Sequence, residues 1–279
     1  MPIDLHVHSL YSDGTHPPAR LVDAAVTVGL SAMALTDHDL FDGIPEAEAA
    51  AEGRLELVPG IELSVKWGDR KMHLLGLWVG PGSALDEHLD EVRRFRSMRN
   101  VAMIEALAAM GYPITVDEVA DRAEKGVIGR PHMADVLVEK GLFSTNAEVF
   151  EALLGDGAPA YRDRERWSLR RAVDLIVESG GVAVAAHPHT VADDADGFRS
   201  AFAAFAEAGI AGVECWYGEY PPAQRVAMAA MAERHGLVPS GGSDHHGGRR
   251  KPGLEVGVGR GDLVVPDEVL DRLKERRPE

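Results

Sequence analysis

Short apolar runs that end in polar loops alternate with amphipathic helical stretches along most of this 279-residue chain. MPIDLHVH and SAMALTDHD are two of the runs, and the helical stretch PPARLVDAAVTVG lies between them, with prolines near its start and Gly29 at its end. Because parallel strands need long crossover connections, usually helices, this alternation predicts an α/β protein with a parallel sheet. The number of units favours a closed (β/α) barrel over an open sheet.

One stretch breaks this alternation. From about Asp86 to Phe150 the pattern is helical throughout and begins with LDEHLDEVRRFRSMRNVAMIEALAAMG. We interpret it as a helical insertion between two barrel strands. The predicted organisation is a barrel domain made of residues 1–85 and 151–279, with residues 86–150 forming a helical lid.

The charge balance limits the partners of the chain. It carries 45 acidic and 29 basic residues, a formal charge of −16, which argues against coating nucleic acid through a general field. A local phosphate pocket remains compatible with this charge, and bound divalent cations would offset part of it. No apolar run approaches the roughly 20 residues of a membrane span. The single cysteine, Cys215, excludes an internal disulfide. We expect a cytoplasmic monomer without a signal peptide.

Histidines and carboxylates recur where predicted strands end or begin. In a (β/α) barrel the carboxyl ends of the strands meet at one rim, so these side chains predict a metal site there. They are His6, His8, Asp13, Asp37, His38, Glu62, His73, His187, His189, Asp244, His245 and His246. Isolated histidines such as His16, His88 and His235 fit surface or capping positions better.

Neighbouring members of this set differ in expected role. We expect only one of His245 and His246 to be a metal ligand, and His189 is a weaker candidate than His187 because it lies further into its loop. Asp37, His189 and His245 are therefore candidates for orienting a ligand or the substrate or for acid–base catalysis.

The motifs HVHSLYSDGT, TDHD, PGIE, AAHPH and SGGSDHHG, in this order, resemble the PHP (polymerase and histidinol phosphatase) superfamily. The segment GRPHMA at 129–134 resembles bacterial members that act on nucleotides, namely nucleoside 3′,5′-bisphosphate phosphatases, AMP phosphatases and 5′→3′ exoribonucleases. The resemblance implies a distorted (β/α)7 barrel with a site for three metal ions.

The resemblance also implies which residues hold each metal. His6, His8, Glu62 and Asp244 would hold the first metal, and Glu62, His73 and His187 the second. Asp13, His38 and His246 would hold the third, because the Asp-x-His spacing of the family favours His246 over His245. Imidazole and carboxylate ligands without a thiolate suit Mn²⁺, with Fe²⁺ or Zn²⁺ as alternatives.

Several further side chains are candidates for substrate binding. Arg130 and His132 lie in the insertion, and the alternative is that RPH only starts a helix. Arg249 belongs to a basic run with Arg250 and Lys251, which is equally compatible with a solvated loop. Trp216, with its neighbour Tyr217, is a candidate for stacking on a base or for barrel packing.

These observations predict a phosphoesterase that acts on nucleotides or short 5′-phosphorylated oligonucleotides. An amidohydrolase-type enzyme usually has a bridging lysine where this chain has Glu62, and histidinol-phosphate phosphatases share the ligands but lack the GRPH pattern. A non-catalytic metal-binding module is the third alternative, and a complete ligand set in a free-standing chain argues against it.

Overall fold

The computed structural model describes residues 1–123 and 126–278. Seven strands form one sheet: β1 (Ile3–Val7), β2 (Ala32–Leu35), β3 (Glu56–Trp67), β4 (Arg70–Leu77), β5 (Val182–Ala185), β6 (Gly212–Tyr217) and β7 (Val238–Gly242). The α-helices in the described residues are α1 (Pro18–Thr27), α2 (Ile44–Ala51), α3 (Leu89–Ala109), α4 (Val116–Ala120), α5 (Arg130–Glu139), α6 (Asn146–Val149), α7 (Leu169–Glu178), α8 (Ala195–Glu207), α9 (Pro222–Arg234) and α10 (Glu268–Lys274). Within the described ranges, no helix is both long and apolar enough to span a membrane.

The strands follow one another around the sheet in chain order. The sheet is nearly closed into a barrel, because Asp244 N–H donates to the His6 carbonyl at 2.8 Å and His8 N–H donates to the His245 carbonyl at 3.0 Å. Helices surround this barrel, which confirms the predicted distorted (β/α) barrel of seven strands.

The prediction of an all-parallel sheet is wrong for β4, which pairs antiparallel with both β3 and β5. Only Gly68 and Asp69 separate β3 from β4, and a two-residue connection can form only a hairpin. Gly68 has a φ of +58°, which suits such a turn. Because β4 runs in the opposite direction, His73 near its start lies at the rim where the parallel strands end.

Alternate side chains of the strands enter two hydrophobic layers. In β2, Met33 and Leu35 pack into a layer shared with helices α1, α2, α7, α8 and α9. Ala32 and Ala34 face the other layer, which α10 joins through Leu273 and its neighbours. The barrel is therefore packed on both faces, and its polar side chains are concentrated at the rim.

The segment between β4 and β5 contains a third hydrophobic cluster, which includes Met103, Leu107, Met133 and Leu137. Helix α3 joins two of the clusters. Leu89 near its start packs into the layer that the barrel shares with α1, α2, α7, α8 and α9, and Met103 packs into the third cluster. The stretch of α3 between these two residues carries buried polar side chains and faces the rim of the barrel.

Candidate active site

A cavity of about 670 Å³ opens at the rim, between the barrel and the segment that follows β4. Two sets of side chains are central to it. The first, named here the rim cluster, consists of His6, His8, Asp13, His38, Glu62, His73, His187, Asp244 and His246. The second, named the arginine wall, consists of Arg96, Arg99, Arg130, Arg164 and Arg166. All of these residues line the cavity except His6 and His8, which are fully buried beside it.

His6 of β1 and His8, directly after β1, face each other through their Nε2 atoms, which lie 3.0 Å apart. The same atoms lie 3.3 and 3.0 Å from Glu62 Oε2 and 3.5 and 3.6 Å from Asp244 Oδ1. At least one of two neutral imidazole nitrogens this close must present a lone pair. This arrangement suits a cation shared by His6, His8 and one carboxylate.

Glu62 is central to the rim cluster. Its Oε1 lies 2.7 Å from His73 Nδ1 and 3.0 Å from His187 Nε2, while Oε2 lies 3.3 Å from His38 Nδ1. Burial raises the pKa of Glu62, but His73, His38 and His6 outweigh burial and hold the pKa well below its usual value. One carboxylate contacting several imidazoles in this way has the geometry of a bridging ligand.

Asp13 brings the remaining imidazoles together. Its Oδ1 lies 3.3 Å from His246 Nε2, and its Oδ2 lies 3.8 Å from His38 Nε2. The rings of His8 and His246 stack with their centroids 4.0 Å apart. The loop after β1 therefore carries Asp13 into the rim cluster.

The rim cluster fits divalent cations. Three groups each offer one atom per residue within 4.8 Å of one another: His8, Asp13, His38 and His246; His6, Glu62 and His187; and His6, His8 and Asp244. In addition, His187 Nδ1 is buried and has no hydrogen-bond partner among the described residues. A set of imidazoles and carboxylates without a thiolate, including a buried nitrogen that lacks a partner, is the chemistry of a catalytic metal centre.

Glu214 supports this cluster and is missing from the residues predicted by sequence. It is fully buried on β6; its Oε1 lies 3.0 Å from His6 Nδ1, and its Oε2 accepts the His187 backbone N–H at 2.7 Å. A carboxylate on the second nitrogen of a histidine ligand fixes its ring orientation and tautomer. The acidic residue inside the apolar run AGVECWYG was the available signal.

The arginine wall comes from α3, α5 and the segment before α7, and most of it was also missed. Arg99 is buried, and its Nε and Nη2 donate to Asn100 Oδ1 at 3.2 and 2.8 Å. Burial and the charges of Arg96 and Arg164 hold the pKa of Arg99 well below its usual value. Arg96, Arg99 and Asn100 occupy buried positions of a helix otherwise packed by apolar residues, and this break in the pattern was the signal.

The structure separates the two predicted residues of GRPH. Arg130 lines the cavity, and its Nη1 donates to Asp156 Oδ1 at 2.8 Å and to the Leu154 carbonyl at 3.2 Å. His132 is buried and does not line the cavity. Its Nδ1 accepts the Gly129 N–H at 3.0 Å, so it caps the start of α5. The structure thus does not bring His132 to the cavity lining, and its position is the one that the interpretation of RPH as a helix start describes.

Two further candidates for substrate binding, Trp216 and Arg249, also lie outside the cavity lining. Trp216 packs against the hydrophobic layers instead of lining the cavity, because an irregularity in the register of β6 between Glu214 and Trp216 interrupts the side-chain alternation. Tyr217 lines the cavity in its place. Arg249 is exposed outside the cavity, whereas Lys251 from the same basic run reaches it and bonds Asp244 Oδ2.

The three acid–base candidates fall in different places. Asp37 lies outside the cavity lining and anchors the loop after β1, because Ser9 N–H, Ser9 Oγ and Ser12 Oγ donate to its carboxylate. His245 is buried outside the cavity with Nδ1 2.6 Å from the Leu254 carbonyl. His189 lines the cavity, and its Nδ1 lies 2.9 Å from the Tyr220 hydroxyl.

Known proteins with similar sequences and structures match this architecture. The profile of the PHP domain matches residues 4–79. The chain is 37% identical over 249 residues to a 3′,5′-nucleoside bisphosphate phosphatase of Chromobacterium violaceum, covering 88% of this chain and 87% of that protein. It is 34% identical over 258 residues to the 5′-3′ exoribonuclease Rnm of Escherichia coli, covering 91% and 87%. A Bifidobacterium adolescentis structure described as a metal-dependent phosphoesterase is 31% identical, with a TM-score of 0.87, covering 100% of this chain and 99% of that one.

A barrel rim that gathers imidazoles and carboxylates in this way defines a metal-dependent phosphoesterase, an enzyme that hydrolyses phosphate ester bonds. The chain belongs to the PHP domain family. The family predicted from the motifs HVHSLYSDGT, TDHD, PGIE, AAHPH and SGGSDHHG is thereby confirmed.

Proposed function

We propose that the enzyme hydrolyses nucleotides that carry a second phosphate, such as nucleoside 3′,5′-bisphosphates or short 5′-phosphorylated oligonucleotides. The observation that carries this proposal is that the rim cluster and the arginine wall line one cavity. The rim cluster would hold the metal ions that bind the phosphate to be hydrolysed. The guanidinium groups add donors suited to a further phosphate, because arginine binds phosphate oxygens bidentately.

We further propose that the rim cluster holds three divalent ions, with Mn²⁺ the expected metal. The ligands would be those implied by the family, with Glu62 shared between two of the ions. When bound, such cations lower the pKa of water and neutralise charge on the non-bridging phosphate oxygens. Glu214 would keep His6 in one orientation, as its 3.0 Å contact with Nδ1 suggests.

Two groups beside the rim cluster have proposed roles in the reaction. His189 is our candidate for passing a proton to the leaving oxygen, since of the acid–base candidates Asp37, His189 and His245 it alone lines the cavity. Its Nδ1 contact with Tyr220 leaves Nε2 to face a substrate. Lys251 and the Tyr217 hydroxyl both contact Asp244 Oδ2 and would orient that carboxylate.

Residues 86–150 would act as a lid domain over the barrel domain of residues 1–85 and 151–279. Most of the arginine wall belongs to this lid or follows it closely, so the lid would determine which phosphomonoesters are accepted. We also propose that the enzyme is a monomer and that it is cytoplasmic; the free, buried Cys215 fits a reducing compartment.

A substrate panel with Mn²⁺ tests the proposal. We expect kcat/KM for 3′,5′-ADP and a 5′-phosphorylated RNA oligomer to exceed that for AMP, with histidinol phosphate the poorest substrate. AMP and histidinol phosphate each carry a single phosphate and would leave the arginine wall without a second anion, and histidinol phosphate also lacks the nucleoside that the proposed substrates share. A preference for histidinol phosphate would contradict the nucleotide assignment and favour the alternative phosphatase.

A further inference from the structure

Asp39, the last residue of TDHD, has no role in the site as described so far. It is fully buried and adopts a φ of +60° directly after His38 of the rim cluster. Its backbone N–H donates to the Glu62 carbonyl at 3.3 Å. A residue other than glycine in the left-handed region persists only when its surroundings hold it there. The backbone of Asp39 is thus fixed to that of the rim cluster.

The side chain of Asp39 extends to the arginine wall. Its Oδ2 accepts hydrogen bonds from Arg96 Nε at 2.8 Å and Arg96 Nη2 at 2.6 Å. Arg164 Nη1 donates to the same oxygen at 3.4 Å. Arg96 lies on α3 and Arg164 in the segment before α7, so one carboxylate joins two separate parts of the wall to the loop that carries His38.

The charges show what this carboxylate prevents. Arg96 and Arg164 are both buried, and each lies close enough to lower the pKa of Arg99, whose guanidinium donates to the neutral side chain of Asn100. Without the negative charge of Asp39, these three guanidinium groups would repel one another at close range. They would be expected to move apart, because a buried charge without a partner is costly.

We propose that Asp39 is a positioning residue that holds Arg96 and Arg164 at a fixed distance from the rim cluster, so that one substrate spans both. This inference rests on the proposed function, since it assumes that the arginine wall receives a second phosphate. Asp39 is fully buried and does not line the cavity, so it acts through the two arginines without touching the substrate.

Asp135 provides a matched control. It is buried on α5, and its carboxylate oxygens lie 2.7 and 2.6 Å from Arg250 Nη1 and Nη2 in the loop after β7. This pair also joins the barrel to the segment that follows β4. Neither Asp135 nor Arg250 lines the cavity. Asparagine at 135 keeps an acceptor oxygen for Arg250, which also donates to the Asp13 and Pro131 carbonyls at 3.0 Å each, so the control weakens a similar buried ion pair whose carboxylate makes no bond to the arginine wall.

The experiment compares Asp39→Asn with Asp135→Asn in the full-length Mn²⁺ enzyme, using AMP and 3′,5′-ADP as substrates. For Asp39→Asn we expect KM for 3′,5′-ADP to rise roughly tenfold or more, the range of a lost charged hydrogen bond, and KM for AMP to change less than about threefold. For Asp135→Asn we expect both values to stay within about threefold. Elemental analysis should find the same metal content in all three proteins.

A double-mutant cycle with Arg96→Ala tests whether Asp39 acts through that arginine. We expect Asp39→Asn to add less than about threefold to the KM of Arg96→Ala for 3′,5′-ADP. A full additional effect would overturn the inference, as would equal losses on AMP and 3′,5′-ADP or an equal response of Asp135→Asn. Should Asp39→Asn fail to fold, Asp39→Glu keeps the charge but displaces the guanidinium groups, and it is expected to give the same selective rise in KM.

The wild-type enzyme separates failure of this inference from failure of the proposed function. If wild type has the same KM for AMP and for 3′,5′-ADP, the proposed function is wrong and the inference falls with it. If wild type prefers 3′,5′-ADP and Asp39→Asn keeps the full preference, only the inference about Asp39 is wrong.

Discussion

The rim cluster and the arginine wall line one cavity but are built in different ways. The rim cluster lies on strands and the short loops after them, where sheet hydrogen bonds such as Asp244 N–H to the His6 carbonyl fix the backbone. The arginine wall consists of long side chains from α3, α5 and the segment before α7, held by a few carboxylates such as Asp39 and Asp156. The long arginine side chains have more rotatable bonds to restrain than the shorter side chains of the rim cluster.

The two sets of side chains would therefore have different functions, one in bond cleavage and the other in substrate recognition. Bond cleavage needs metal ligands placed within a fraction of an ångström, which the barrel rim can supply. Recognition of a second phosphate needs positive charge with less exact placement, which the arginines supply. Changes to the rim cluster should therefore remove turnover of every substrate, whereas changes to the arginine wall should affect substrates selectively and by smaller factors.

The largest expected effect is that of metal removal. A chelator should reduce hydrolysis of all substrates to background, and Mn²⁺ should restore it, because the proposed cations would activate the attacking water and neutralise charge on the phosphate. Mn²⁺ should also raise the melting temperature, since only the folded chain presents these ligands together. Phosphate release measures the first effect and a thermal melt the second, and elemental analysis verifies that the metal has been removed. Full activity in a metal-free sample would contradict the prediction.

Asp13→Asn should have the next largest effect. We expect a folded protein that has lost one metal ion per chain and about a hundredfold or more in kcat, on AMP and 3′,5′-ADP alike. Asp193→Asn, at an exposed position outside the cavity, is the control. Normal turnover and full metal content in Asp13→Asn would mean that Asp13 only shapes the turn after β1.

Arg99→Met tests the wall. We expect kcat/KM to fall roughly 10- to 100-fold on 3′,5′-ADP and much less on AMP. The free energy of unfolding should stay unchanged or rise, because the substitution removes a buried charge that has no carboxylate partner. Arg130→Ala should also lower kcat/KM more on 3′,5′-ADP than on AMP. Arg249→Met, at an exposed position, should leave kcat/KM on both substrates unchanged. Equal losses on both substrates would assign these arginines to the phosphate that is hydrolysed.

The rim cluster was predictable from sequence because its members occupy fixed positions relative to strands. His6 and His8 alternate with apolar residues, and Asp13, His38, His187, Asp244 and His246 follow strand ends, so topology alone brings them to one rim. His73 is at the rim for a reason that the alternation does not reveal. The two-residue turn after β3 reverses β4 and returns its first residues to that rim.

The arginine wall was not predictable in this way because tertiary packing decides it. Arg96 and Arg99 lie on a helix whose partner surfaces the sequence does not specify. Glu214 stands out as an acidic residue in an apolar run, but its contacts with His6 and His187 follow only from the folded barrel, in which β6 pairs with β5 and β7. Tyr217 lines the cavity and Trp216 does not, and the register of β6 is irregular between Glu214 and Trp216. Local events of this kind leave no periodic signal.

His132→Asn should have the smallest effect on activity and sharpens the contrast between capping and binding. Burial, together with the charge of Arg250, lowers the pKa of His132 to about 4. In the unfolded chain the imidazole takes up a proton below about pH 6.5, whereas in the folded chain it stays neutral until about pH 4. Unfolding free energy therefore falls as pH falls between these values, by about 3 kcal/mol from this group. Asparagine accepts the Gly129 N–H without titrating, so the variant should lack this component.

Urea unfolding of metal-free wild type and His132→Asn at pH 7 and at pH 4 measures the difference. We expect the stability of the variant relative to wild type to improve by about 3 kcal/mol on acidification, while kcat/KM on 3′,5′-ADP at neutral pH changes less than about threefold. A selective loss on 3′,5′-ADP comparable to that of Arg99→Met would restore His132 to the substrate site. A pH-independent stability difference would mean that the buried imidazole does not take up its proton on unfolding.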